Sequence, residues 1–169
     1  MRAPARKEQG FVLIVTCVAL AVLLALAGLV IDVGRMYIVK SELQAFADAA
    51  SLNAAFELDG TKDGLSRARE AAAALAEGDH AMKWDMGTKA ISSFKLSFTA
   101  GDGKPAPKSW QETPDDAAAC RFVKVTVEAA VPLTLLRVVE GIQQDASKVT
   151  ASGTAGSFPG SANAARLIE

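Results

Sequence analysis

"AGLVIDVGRMYIVKSELQAFADAA", residues 27–50, begins as oily membrane-like sequence and ends as a polar, alanine-rich helix. No Pro and no Gly doublet interrupts it, so nothing in the stretch stops one helix from running through both regimes. Upstream, Phe11 to Ile31 carries no charged residue. As a helix it spans about 31 Å, close to the ~30 Å hydrocarbon core of a bilayer. A buried core helix this apolar needs a large surrounding protein, for which a chain of 169 residues has little room. Residues 11–31 therefore read as a transmembrane helix.

Downstream, Met36, Val39, Leu43, Phe46, Ala50 and Ala54 recur at the steps of one helical face. Asp32 and Arg35 are spaced to pair at the membrane surface, and Tyr37 stands where an amphipathic ring favours the interface. "LDG" supplies a stop at Gly60. The spacing predicts one rod from Phe11 to Leu58, roughly 72 Å long. Ala45, Ala47, Ala49, Ala50, Ala54 and Ala55 keep it thin, so a sheet or another helix can approach closely.

Positive and negative charges nearly cancel, at a net of -1, which gives no electrostatic reason for a nucleic-acid partner. Cys17 lies in the apolar run and Cys120 in the distal part, an arrangement that argues against a disulfide. Arg2, Arg6 and Lys7 precede the span while Arg35 and Lys40 follow it. This bias places the N-terminus in the cytoplasm and the remainder outside. The alternative is a secreted binding module, released by signal-peptide cleavage near Ala27 at the "ALA" of residues 25–27.

Residues 10–55 resemble the N-terminal region of TadG-like proteins of the tight-adherence (Tad, or Flp) pilus assembly system. In that family an apolar span runs into Ala-Gly-x-x-x-Asp-x-Gly-Arg-x-Tyr and then a Leu-Gln-x-x-Ala-Asp-Ala-Ala stretch. The matching residues are Ala27, Gly28, Asp32, Gly34, Arg35 and Tyr37, then Leu43, Gln44, Ala47, Asp48, Ala49 and Ala50. "VTVEAAVPLTLLRVVEGI" and "VTASGTA" resemble the family's closing strand, helix and strand. The resemblance implies a single-pass protein of the bacterial inner membrane with an exported C-terminal domain. Its partners would be the membrane, other pilus-assembly or pilin-like subunits, and further copies of itself. Gly10 and Phe11 form a candidate processing site of the pilin kind, although Val15 replaces the usual Glu. Longer family members add a metal-binding von Willebrand-type domain; the nearest motif here, at Asp145, breaks at Val149, so the chain reads as the short form.

The distal part reads as a small α+β domain. A second helix is expected from Leu65 to about Glu77, and a short one from Leu133 to Glu140. Strands are expected in "SFKLSF", "FVKVTVEAAV" and "KVTASGTA", each with one apolar face, which suits an antiparallel sheet packed on a helix. Gly101 to Asp116 is a Gly/Pro-rich connector in which Trp110 is a candidate contact residue. The expected organisation is a cytoplasmic leader 1–10, the transmembrane helix 11–31, its extramembrane continuation 32–58, an exported domain 59–156 and a flexible tail 157–169.

Chemistry-bearing motifs are sparse. Asp59, Asp63, Gly64 and Glu70 match positions of an EF-hand loop, but Thr61, Arg67 and Arg69 do not suit calcium. The plainer reading is that Gly60 ends one helix and Asp63 caps the next. "GDGK" at Gly101 lacks the first half of a phosphate loop, His80 has no motif around it, and Cys120 has no activating surroundings. The expectation is a structural protein with no catalytic site, cofactor or metal.

Overall fold

A computed structural model describes residues 8–76, 91–101, 109–133, 146–157 and 165–167. The element order is α1 (Glu8–Phe56), α2 (Lys62–Ala74), β1 (Ile91–Ala100), β2 (Cys120–Pro132), β3 (Ala146–Ser157) and β4 (Ala165–Leu167). Helix α1 is a single unbroken helix of 49 residues, about 74 Å at the usual rise per residue. The chain leaves it at Phe56 and turns at Gly60, whose φ of 83° lies in the left-handed region that glycine adopts without strain.

Helix α2 begins where Thr61, in extended conformation, accepts a 2.9 Å hydrogen bond on Oγ1 from the Gly64 amide. The cap is thus Thr61, not Asp63, which lies in the first turn. A hydroxyl in that position satisfies one of the orphan amides of the helix start. Gly64 has no room for a side chain, because a Cβ there would meet Asp59 and the Glu57 carbonyl.

The strands form one antiparallel sheet in the order β1-β2-β3-β4. Its register puts Phe94, Val127 and Ala151 in one row, Leu96, Val125 and Gly153 in the next, and Phe98, Val123 and Ala155 in a third. These rows make the core face, as the alternation implied, and α1 lies across them. Val39, Leu43, Phe46, Ala47, Ala50 and Ala54 of α1 are buried against that face, with Leu65, Ala68 and Ala72 of α2 in the same core. Phe46 meets Phe94 edge to face at 6.1 Å between ring centroids, a favoured aromatic geometry.

Three details depart from the sequence reading. Phe122 has the parity of the polar face but is fully buried, because Gly156 beside it leaves space for the ring. Ala165–Leu167, within the stretch read as a flexible tail, pairs with Ala155–Ser157 as a fourth strand. Pairing there covers part of an edge whose backbone groups would otherwise bond only to water. Helix α2 starts three residues before Leu65 because Thr61 supplies the cap. The expected helix Leu133–Glu140 lies, after its first residue, outside the described residues, and His80 lies outside them too.

Candidate interaction site along the long helix

The family-motif residues divide between two faces of α1. Gly28, Asp32, Leu43, Ala47 and Ala50 are buried, Asp32 to 1% relative exposure. Asp32 and half-buried Arg35 both have polar partners. The packed face of the rod therefore begins inside the membrane-length stretch, at Gly28. Gly34 and Tyr37 point away from the domain, Tyr37 at 76% exposure.

Gln44 and Asp48 sit at the margin. Gln44 Nε2 donates to Asp48 Oδ1 at 2.9 Å and to the Ser152 carbonyl at 3.0 Å, bridging helix and strand. One turn earlier the Lys40 ammonium donates to the Thr150 carbonyl. Helix and strand approach closely at Gly153, where any Cβ would run into the Ala47 backbone. The sequence reading took Lys40 only as a charge flanking the span and Gly153 only as part of an alternating strand, although an isolated Gly there is the signal of close backbone approach.

Towards the N-terminus the helix is bare. Phe11, Val12, Leu13, Ile14, Leu20, Leu23, Leu24 and Val30 are all exposed, Phe11 at 70% and Val30 at 71%. Gly10 has open space around it. An apolar helix of this length whose large side chains from Phe11 to Leu24 are exposed is long and apolar enough to cross a membrane. Beyond the span an outer face carries Val33, Gly34, Tyr37, Ser41, Ala45, Asn53 and Phe56, all exposed. Glu42 flanks it, with Oε2 buried and without a partner among the described residues.

The calcium-loop lookalike has a different role. Asp59 Oδ1 accepts from the Thr61 amide at 2.9 Å and from its hydroxyl at 2.6 Å, and Asp59 Oδ2 pairs with Arg67 at 2.6 Å. Arg67 also pairs with Glu57 at 3.0 Å. The Thr61 hydrogen bonds, then Arg67, hold the Asp59 carboxyl down at about 2. Asp63 and Glu70 are already inside α2, so no liganding loop exists over this stretch.

At the far end of the sheet a cavity of about 280 Å³ lies between β1 and the segment that enters β2. Cys120 lines it, its thiol donating to the Asp116 carbonyl at 3.3 Å. Burial, and then the Asp116 charge, push this thiol up, away from reactive thiolate. Cys17 and Cys120 are both free. Trp110 lies under the Lys124 ammonium at 5.9 Å, and Gln111 exchanges backbone hydrogen bonds with Phe98.

No curated protein and no solved structure matches this chain. Residues 10–56 match the family model described as putative Flp pilus-assembly TadE/G-like. The matched stretch ends with the last residue of α1. The long N-terminal helix is thus similar to the TadE/G-like domain of Flp pilus assembly, and its apolar half fits a membrane-anchored pilus component.

Proposed function

We propose that the protein is a pilin-like or assembly-platform subunit of a Tad/Flp-type pilus, working through helix packing and protein–protein contacts rather than catalysis. The observation that carries this reading is the division of labour along α1. Its first half is apolar and bare, while its second half is welded to a sheet by Gly153, Gln44 and Lys40. A flexible tether would hold a domain near a membrane; an unbroken helix also transmits its orientation. The span anchors the chain in the inner membrane with the N-terminus cytoplasmic and the α+β domain exported. The outer face around Gly34, Tyr37, Ser41 and Ala45 meets neighbouring subunits.

Release by cleavage near Ala27 is the competing reading. The fragment from Gly28 would keep the packed face, but Leu29, Val30, Ile31 and Val33 would stay exposed on a soluble protein. Intact-mass analysis of membrane and soluble fractions from the native cells separates the cases. An uncut chain in the membrane supports an anchored component, and a membrane-bound chain starting at Phe11 supports a processed pilin-like subunit. A soluble chain starting near Gly28 overturns the proposal.

A further inference from the structure

The register between α1 and β3 fixes how high the domain sits above the membrane. Gly153 lies against Ala47, Ser152 is bonded to Gln44 and Thr150 to Lys40, so helix and strand run alongside each other in the same direction. Counting back from that contact, Ala146 lies about 23 Å below Gly153 at the rise of a strand. Ile31, the last residue of the apolar run, lies about 24 Å below Ala47 at the rise of a helix. The first residue of β3, and Pro132 paired with it, are therefore level with the end of the membrane span.

The burial of Gly28 and Asp32 supports the same placement, since the packed face already reaches the span. Lys148, exposed on β3, then stands roughly 7 Å above the hydrocarbon boundary. Arg35 stands about 6 Å above it. The polar layer on each side of a bilayer is about 5–8 Å thick, so both cations are at the depth of lipid phosphates. The acidic residues of the described surface lie elsewhere: Asp32 is buried, and Glu128, paired with Thr150, is level with Lys40. Asp59, Asp63, Asp115 and Asp116 belong to the far end.

We propose that the lower end of the sheet rests on the bilayer that holds the span, with exposed Lys148 binding the headgroups of anionic phospholipids. The contact braces the domain at a second point, so it cannot swing about α1, and its outer face is presented to neighbours in one orientation. This inference rests on membrane anchoring by residues 11–31, and the test separates the two.

The full chain is reconstituted in vesicles of phosphatidylethanolamine and phosphatidylglycerol. A fluorophore is attached in turn to native Cys17, which is exposed in the span, and, in a Cys17→Ala background, to Ser147→Cys or Asp63→Cys. Buried Cys120 is left unlabelled. Headgroup spin-labelled lipid should quench position 147 and not position 63, while acyl-chain spin label quenches position 17. Lys148→Glu should abolish the quenching at 147, and replacing phosphatidylglycerol with phosphatidylcholine should reduce it. Quenching at 17 with none at 147 overturns the resting contact. Quenching at 147 that ignores both the lipid charge and Lys148→Glu overturns the role of Lys148. Loss of quenching at 17 and 147 together means that the anchoring itself has failed.

Discussion

At Gly153 the constraint is one of space. A Cβ at this position would collide with the Ala47 backbone, which is part of a helix and cannot move aside by a rotamer change. Gly153→Val should therefore destabilise the domain by about 1–3 kcal/mol, the range for forcing added methyl groups into a packed interior. Urea unfolding of the full chain in detergent would measure it; a neutral result would mean that α1 does not lie on β3 here. Asp59 gives a prediction with a definite pH window. Its folded pKa is depressed to about 2 from 3.8, so its contribution is fully present above the ordinary value and fades as pH falls from about 4 to about 2. Asp59→Asn should flatten the stability–pH curve in that window and leave its slope above it unchanged, as followed by urea titrations at stepped acidic pH. Thr61→Ala, which removes both the α2 cap and the hydroxyl that bonds the Asp59 carboxylate, should cost about 1 kcal/mol near neutral pH and less as the pH falls towards 2.

For the elements, the question is how much each one owes to its own sequence and how much to its neighbours. Helix α1 was legible because its apolar residues recur at helical spacing over the packed half, and because no breaker occurs before Gly60. The three long strands were legible from their period-two alternation, since one face meets a helix and the other water. Phe122 was not, because its burial depends on a missing side chain at Gly156, one strand away. Strand β4 was not, because three residues carry no periodicity and the edge of β3 decides their conformation. The bridge between helix and strand was only half visible: Gln44 was read, its partner Ser152 was not. A chemical spacing along one helix cannot reveal a backbone carbonyl on a strand more than a hundred residues later. The same reasoning identifies the most sensitive side chain of the helix. Phe46 is 1% exposed and packs on Phe94, so Phe46→Ala should cost about 3–5 kcal/mol. Calorimetry of the full chain in detergent would test it, with Phe56→Ala, at a half-exposed position on the outer face, as a control expected to cost far less.

In the whole molecule, one helix serves two solvents, and the two halves should fail independently. Leu20 and Leu24 are 57% and 64% exposed, so their side chains lie on the bare half of α1 rather than in the core. A charged residue near the middle of a span costs about 2.5–3.5 kcal/mol on insertion. Leu20→Lys combined with Leu24→Lys should therefore shift the protein out of the membrane fraction. The sheet should keep its fold, because Leu20 and Leu24 both lie before the packed face, which begins at Gly28, and both are exposed. The measurement pairs alkaline-carbonate extraction with near-ultraviolet circular dichroism of the extracted chain. Extraction with an unchanged tertiary signal is the expected result. Extraction with loss of that signal would show that the domain needs the bilayer beneath it to stay folded, and retention in the membrane would show that residues 11–31 are not what holds it there.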